Sequence, residues 1–495
     1  MTITDRLHQL EQQMQPLEPD ATQRAEWQQQ VAAHAEDFLE RVESLPAYYT
    51  TEHEGRLLSQ TPIGEQPRDM REVLRLLHDN LEQVGLNAAS AGHLGYIPGG
   101  GILPAAYGDY LAAVFNRYAG MYFGSPGAVR IENALIRWMC RLVGYPDTAL
   151  GNLASGGSIA NLTAITTARD QKGITTDKVR RAVIYLTEQV HHCVNKAIRI
   201  AGLGEAVLRY IPMEERYRMN ADYLAQQLQQ DHTEGLIPFM IGASAGTTDT
   251  GAIDPLDRLA DLAEEYDCWL HVDAAYGGFF VLTDDVPHPD GGTVDQAYKG
   301  IERSDSIAID PHKGLFLPYG LGALLIKDVD ALNAAHYYKA NYMQDVVTIP
   351  DEPSPADLSP ELTKHFRGLR MWLPLQLLGI APFKAALTEK LWLCRYFYQE
   401  IQRLGFEVGP EPELSVCIYR YVPEGQDADA FNQALQRGVQ RDGRVFISST
   451  TIDGRVWLRL AVLSFRSHKR TLDTLLTVLQ EQVAALLSPV SVGVE

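Results

Sequence analysis

The chain repeats one pattern: a short apolar run of strand type, a stretch with helical spacing, then another apolar run. Ala182-Val183-Ile184-Tyr185-Leu186, Pro238-Phe239-Met240-Ile241-Gly242, Trp269-Leu270-His271-Val272-Asp273 and Ser306-Ile307-Ala308-Ile309 are four such runs. Strands separated by helices predict an α/β fold whose mainly parallel sheet is covered on both faces. In sheets of this kind ligands gather beyond the carboxyl ends of the strands. The residues that follow each run are therefore the first candidates for chemistry.

Two of these runs end in polar side chains of opposite charge. Ser306–Ile309 leads into Asp310-Pro311-His312-Lys313, and Asp273 closes its own run forty residues upstream of the lysine. A single lysine is most often a surface residue. Here an apolar strand feeds directly into Asp-Pro-His-Lys-Gly, and the proline interrupts regular structure so that the amine can project into a cleft. Asp273 taken alone is a turn or helix-cap aspartate. Ala274 and Ala275 after it are small enough for a flat ring to approach, and Gly277-Gly278 permit close backbone packing. A lysine amine and a carboxylate at neighbouring strand ends are what pyridoxal 5'-phosphate requires, the first for a Schiff base and the second for the pyridine nitrogen.

A second constellation is Ala154-Ser155-Gly156-Gly157-Ser158-Ile159-Ala160-Asn161, followed by the helical Leu162-Thr163-Ala164-Ile165. Glycines entering a helix leave N–H groups unpaired at its positive end, so this turn can cradle a phosphate, with the Ser158 hydroxyl as a further donor. The Walker-A lysine is absent, which disfavours nucleotide hydrolysis. His191 and His192 follow the run 182–186; either can stack on a ring or move a proton, and a capping or solvent-facing histidine is the plainer reading for His192. The histidines at 191, 192, 271 and 312 lack metal-ligand spacing, so no metal is expected.

Composition narrows the class. A formal charge of −20 over 495 residues argues against a broad nucleic-acid footprint. The five cysteines form no C-x-x-C pair, which fits a reducing cytoplasm rather than a disulfide or zinc scaffold. The amino terminus lacks an apolar core of signal type and no apolar run reaches the roughly 20 residues that span a bilayer, so a cytoplasmic protein without membrane contact is expected.

Residues 1 to about 90 have helical spacing, as at Trp27, Val31, Phe38 and Val42, and little strand character. Ile349–Asp357 is a Pro- and acid-rich loop, a long helical region runs from about 367 to 404, and the tail alternates strand and helix. The predicted organisation is a helical amino-terminal segment over 1–102, a large cofactor-binding α/β domain over 103–384, and a small α+β domain over 385–495.

The segments Leu153–Leu162, Tyr185–Ala201, Gly246-Thr247-Thr248, His271–Gly278 and Asp310–Leu315 occur in the order of the signature segments of the group II pyridoxal-phosphate decarboxylases, which this chain resembles. The likeness extends through His93–Pro98, Ser125-Pro126 and Phe366–Trp372, most of the chain. That family includes aromatic amino-acid, glutamate and cysteine-sulfinate decarboxylases. The resemblance implies fold type I, with a mostly parallel seven-stranded sheet between helices, and a homodimer with the active site at the interface. The helical amino-terminal segment would wrap the partner subunit. It further implies that Lys313 carries the Schiff base, Asp273 holds the pyridine nitrogen, His191 stacks on one ring face and Ala275 packs on the other. Gly157, Ser158 and His312 would bind phosphate, Thr247 would lie near the ring hydroxyl, and Tyr96 and Pro98 would line the substrate pocket. The implied reaction is decarboxylation of an L-amino acid to its amine and carbon dioxide.

Three positions depart from the family pattern. Many members carry a loop tyrosine before the Phe-Arg-x-Leu segment that is thought to return the proton to Cα; no tyrosine occurs between Met343 and His365, and a gapped comparison puts Leu358 near that place. Asp310 stands where aromatic-specific members often have asparagine, and Val129-Arg130 where threonine and glutamate are common. The missing tyrosine leaves open an aldehyde synthase that couples decarboxylation to oxidative deamination, or a carbon–carbon lyase. A non-catalytic dimeric scaffold is a third class, but it would have no need of Lys313 and Asp273. Tyr96, Tyr118 and Tyr122 could stack on an aromatic substrate and Arg130 could pair with an acidic one, although aromatics are common core filler and arginines are mostly exposed.

Overall fold

The computed structural model describes residues 1–97, 99–337 and 351–488. The chain begins with two helices, Ile3–Met14 and Ala21–Arg41, capped by Thr2 and Asp20 and with no buried side chain in either. A short ribbon of β1 (Tyr48–Tyr49) and β2 (Gly85–Leu86) follows.

The centre is a seven-stranded sheet of β3 (Leu150–Ala154), β4 (Ala182–Leu186), β5 (Val207–Tyr210), β6 (Ile237–Ser244), β7 (Trp269–Asp273), β8 (Ser306–Ile309) and β9 (Gly322–Ile326), in the spatial order β3-β9-β8-β7-β6-β4-β5. All neighbours pair in parallel except at β9, which is antiparallel to both β3 and β8. Every residue of β3, β4, β8 and β9 is buried, as apolar runs covered on both faces by helices must be. The four runs identified in the sequence are β4, the middle of β6, β7 and β8.

Six of the seven strands run the same way, so β3, β4, β6, β7 and β8 deliver the loops after their carboxyl ends to one edge of the sheet. Helix Gly157–Gln171 packs against β3, β6, β7, β8 and β9 with its first turn at that edge.

A second, antiparallel sheet of β10 (Glu407–Val408), β11 (Val416–Arg420), β12 (Ser448–Ile452) and β13 (Arg455–Ala461) lies in the order β10-β11-β13-β12. It shares an apolar core with helices Ala381–Arg403, Ala428–Asp442 and Lys469–Leu487, through residues such as Phe397, Tyr419, Leu435, Leu458 and Leu475. The helical region over 367–404 is broken at Gly379, whose positive φ of 66° separates Gly368–Leu378 from Ala381–Arg403. Residues 92–94 add themselves to this part of the chain: Phe446 N–H donates to Gly92, Leu94 N–H to Phe446, and Ala461 N–H to Leu94. Among the described residues no helix is long and apolar enough to cross a membrane.

Candidate active site

The loops at the carboxyl edge of the large sheet enclose a cavity of about 340 Å³. Five strands contribute: Gly156, Gly157, Ser158 and Asn161 after β3, Gln189, His191 and Cys193 after β4, Ser244, Gly246, Thr247 and Thr248 at the end of β6, Asp273, Ala275 and Tyr276 at the end of β7, and Asp310, His312 and Lys313 after β8. The sequence candidates Lys313, Asp273, His191, Gly157, Ser158, Thr247, Ala275 and His312 are therefore brought together in one place.

Lys313 belongs to a four-residue helix, Pro311–Gly314, that begins immediately after Asp310 and turns the amine back toward the sheet edge. Its Nζ lies 3.2 Å from Oδ2 of Asp310, a carboxylate only 2% exposed. Oδ1 of the same carboxylate is buried and accepts no hydrogen bond from any protein group. Two glycines make room for Asp310: a Cβ on Gly322 would collide with Oδ1, and one on Gly157 would fall 3.1 Å from Oδ2.

Asp273 is fixed from both oxygens. Oδ1 accepts the Ala275 N–H at 3.0 Å, and Oδ2 accepts Nδ2–H of Asn161 at 3.1 Å. The Asn161 carbonyl faces Nε2 of His271 at 2.6 Å, and Nδ1 of that ring meets the Ser306 hydroxyl at 2.8 Å. Trp269 Nε1–H donates to the same hydroxyl at 2.8 Å. Because indole and the amide nitrogen only donate, every group in the row has one workable role: Trp269 donates to Ser306, Ser306 to His271, His271 to Asn161, and Asn161 to the carboxylate. Burial pushes the His271 ring down to about 4, so it stays neutral, as the row demands.

One end of the cavity is the first turn of the helix Gly157–Gln171, where Ile159 and Ala160 N–H donate to the Gly156 carbonyl and the N–H groups of Gly157 and Ser158 have no partner among the described residues. His312 donates from Nδ1 to the Leu321 carbonyl at 2.6 Å, which leaves Nε2 free as an acceptor. Burial lowers its pKa, so its ring is neutral. A Cβ on Gly156 would lie 3.5 Å from this ring, so the turn and the histidine form one wall.

His191 caps the helix His192–Ile200, its Nδ1 accepting the Cys193 N–H at 3.3 Å. Burial lowers its pKa, partly offset by Asp273. His192 is exposed, in keeping with the plainer reading. On the opposite wall Thr247 Oγ1 pairs with Thr250 Oγ1 at 2.8 Å, and Thr250 donates to Gln189 Oε1 at 2.8 Å. The Gln189 Nε2 is buried with no protein acceptor.

Other candidates lie elsewhere. Tyr96 is 58% exposed, does not line the cavity, and leans on Phe446 with ring centroids 5.6 Å apart. Pro98 lies outside the described residues, as do Tyr338 and Tyr342. Arg130 is exposed, donates to the Tyr122 hydroxyl at 2.8 Å and does not line the cavity. Leu358 is fully buried in the main apolar core and reaches no reacting group.

Asn161, Gln189 and Arg459 escaped the sequence reading. Asn161 is one helical turn past Ser158, a signal available in the sequence. Arg459 comes from β13, three hundred residues from the phosphate turn, and only the fold brings it near. It is 3% exposed and donates to the carbonyls of Thr248 and Asp249 and, at 3.1 Å, to Oγ of Ser448.

Two buried polar atoms facing one cavity without partners, Asp310 Oδ1 and Gln189 Nε2, mark a site built for a polar guest. An unpaired helix N-terminus suits a phosphate, the Asp273 carboxylate suits a protonated ring nitrogen, and the Lys313 amine suits an aldehyde. The residues present fit pyridoxal phosphate. The pattern of the family described as "Pyridoxal-dependent decarboxylase conserved domain" matches residues 55–422. An aromatic-L-amino-acid decarboxylase from Bacillus atrophaeus is 31% identical over 437 residues, 87% of this chain and 88% of that protein. A phenylacetaldehyde synthase from Petunia hybrida is 26% identical over 453 residues, 86% of this chain and 87% of that protein. The crystal structure of Oryza sativa TDC with PLP and tryptamine superposes with a TM-score of 0.86 at 23% identity, covering 95% of this chain and 99% of that one. The seven-stranded fold is that of the pyridoxal-phosphate enzymes of fold type I, and the chain belongs to the pyridoxal-dependent decarboxylase family, carboxy-lyases that act on amino acids.

Proposed function

We propose that the amino acid decarboxylated is an L-amino acid with an aromatic side chain, and that the residues of the cavity take the following parts. The observation that carries the assignment is that Lys313 and Asp273 leave adjacent parallel strands and face one cavity beside an unpaired helix N-terminus. Lys313 binds the cofactor aldehyde covalently. Asp273 holds the proton on the ring nitrogen, oriented by Asn161 and the Ala275 N–H. Gly157, Ser158 and His312 grip the phosphate, His191 lies over one ring face, Ala275 supports the other, and Thr247 is near the ring hydroxyl. When bound, pyridoxal phosphate supplies a conjugated electron sink for the pair left at Cα by departing carbon dioxide. The protein's share is to keep water away, hold the substrate carboxylate out of the ring plane, and return a proton to Cα.

The aromatic preference rests on the Bacillus relative and on exposed Tyr96, which resembles a pocket residue and is free to meet a second subunit. A homodimer is supported by exposed apolar positions along the first helix, Ile3, Leu7, Leu10 and Met14, which no other described residue covers. The separation of a large domain over 103–384 from a small one over 385–495 is supported by the distinct apolar cores around the two sheets, and a separate 1–102 segment by the two leading helices, which bury no side chain. All five cysteines are buried free thiols, which supports a cytoplasmic setting.

A second reading, the aldehyde synthase, is favoured by the absence of tyrosine from 343 to 365 and by the Petunia relative. The test is one panel: purified protein with pyridoxal phosphate, offered aromatic, acidic and basic L-amino acids, with carbon dioxide, amine, ammonia and peroxide measured together. Amine and carbon dioxide from an aromatic substrate, lost in Lys313→Ala, support the proposal. Ammonia and peroxide in step with carbon dioxide select the synthase, and a wild type without the visible cofactor band overturns both.

A further inference from the structure

We propose that Asp310 is the base that takes the proton from Lys313 when the lysine engages the cofactor aldehyde, and the acid that returns it when the substrate amine displaces the lysine. The proposal rests on the cofactor assignment above and adds a catalytic residue to it. A protonated amine has no lone pair, so Lys313 cannot attack a carbonyl until one proton has left. A base for that proton must lie within hydrogen-bond reach, about 2.6–3.2 Å. Asp310 Oδ2 lies at 3.2 Å, and no other carboxylate among the described residues lies within ion-pair distance of Nζ.

The surroundings favour this role over that of a fixed counter-ion. Asp310 makes no side-chain hydrogen bond as a helix cap, and its Oδ1 has no protein donor, so a proton on the carboxyl breaks no existing bond. A purely structural carboxylate at 2% exposure would have its lone pairs filled. Of the described titratable groups near Lys313, Asp310 is the one that lies at ion-pair distance from Nζ; His312 and His191 each engage Nδ1 elsewhere, and His312 keeps Nε2 as an acceptor. His312, 3.8 Å from Oδ2, is kept neutral by burial and uses Nδ1 on the Leu321 carbonyl. His191 uses Nδ1 as a helix cap, Asp273 has both oxygens occupied, and burial pushes the Cys193 thiol up to about 11. Glycine at 157 and 322 leaves the slot that the carboxylate occupies.

The step balances without any outside reagent. The Lys313 ammonium gives one proton to Asp310, the nitrogen attacks the aldehyde carbon, and the carbonyl oxygen leaves as water with the two hydrogens that remained on nitrogen. In the reverse sense the neutral substrate amine takes the aldehyde carbon, its two hydrogens pass to Nζ as the C–N bond to Lys313 breaks, and Nζ then recovers the proton held by Asp310 to become an ammonium.

The experiment follows the visible band by stopped flow after mixing full-length protein, stripped of cofactor, with pyridoxal phosphate or with pyridoxal, which lacks the phosphate. Equilibrium binding of pyridoxine phosphate, an alcohol that cannot form an imine, is measured alongside. Asp310→Asn is expected to slow capture of both aldehydes about a hundredfold, the usual size of a lost general base, while pyridoxine phosphate binds as in the wild type. Capture that is unchanged or faster overturns the proposal, because removing a mere counter-ion would free the amine. Loss of pyridoxine phosphate binding also overturns it, by making Asp310 part of the phosphate cradle. A wild type that forms no band, or Lys313→Ala that still forms one, would instead refute the cofactor assignment.

Discussion

His271 donates its Nε2–H to the Asn161 carbonyl across 2.6 Å, and that contact fixes which way the Asn161 amide faces Asp273. With the carbonyl engaged, only the NH₂ end can meet the carboxylate, so a neutral ring two positions before Asp273 in the same strand sets the polarity of its partner.

Asn161→Leu should therefore lower kcat by about ten- to a hundredfold while leaving the visible band in place. A hydrogen bond to a charged group contributes about 1.5–3 kcal/mol, and a tenfold rate change is 1.4 kcal/mol. The separation of kcat from KM on the best substrate checks this; a change confined to KM would contradict it.

Burial pushes His93 down to about 4, against about 6.5 in an unfolded chain. Its contribution to stability is complete above pH 6.5 and is lost as pH falls toward 4, because the unfolded state binds the proton first. The shift corresponds to about 3 kcal/mol. Urea midpoints measured from pH 7 to 4 should fall, and His93→Phe, whose ring keeps the contact with Phe446, should flatten part of that fall.

Arg459→Met removes the guanidinium donor from the half-buried Thr248 and Asp249 carbonyls, while the Ser448 hydroxyl keeps the Tyr96 N–H. Each hydrogen bond to a charged group that is lost costs about 1.5–3 kcal/mol. The variant should lose thermal stability and release pyridoxal phosphate faster on dilution, read as decay of the visible band.

Lys364 Nζ and Glu132 Oε2 form an ion pair at 2.7 Å, with side chains 0% and 2% exposed. Removing one partner from such a pair costs about 3–5 kcal/mol, whereas replacing both by apolar groups is often neutral. Lys364→Met alone should unfold at markedly lower urea, and Glu132→Leu combined with Lys364→Met should recover most of the loss.

Much of this architecture was legible from residue order. β4, β7 and β8 were readable because they are short, largely apolar runs of strand length. β3 was not, since Gly151 and Asn152 interrupt it, and β5, an edge strand, is only partly buried. That Lys313, Asp273, His191 and Gly157 share one cavity was readable because parallel strands send their polar ends to one edge, so it needed no distance information. Tyr96 and Arg459 lie on the other side of that limit. Their positions depend on how residues 92–96 and β13 pack together, and no local pattern encodes it.

The bond from Arg459 to the Thr248–Asp249 carbonyls also orders events during synthesis. The phosphate turn, Asp273 and Lys313 have all left the ribosome long before residue 459, yet the loop beside Thr247 lacks its clamp until β13 exists, and residues 92–94 wait for the same strand and for Phe446. A nascent chain therefore holds the cavity residues Gly157, Thr247, Asp273 and Lys313 before it holds the strand that braces the loop beside them. A polypeptide that stops short of β13 would be expected to capture the aldehyde loosely and lose it.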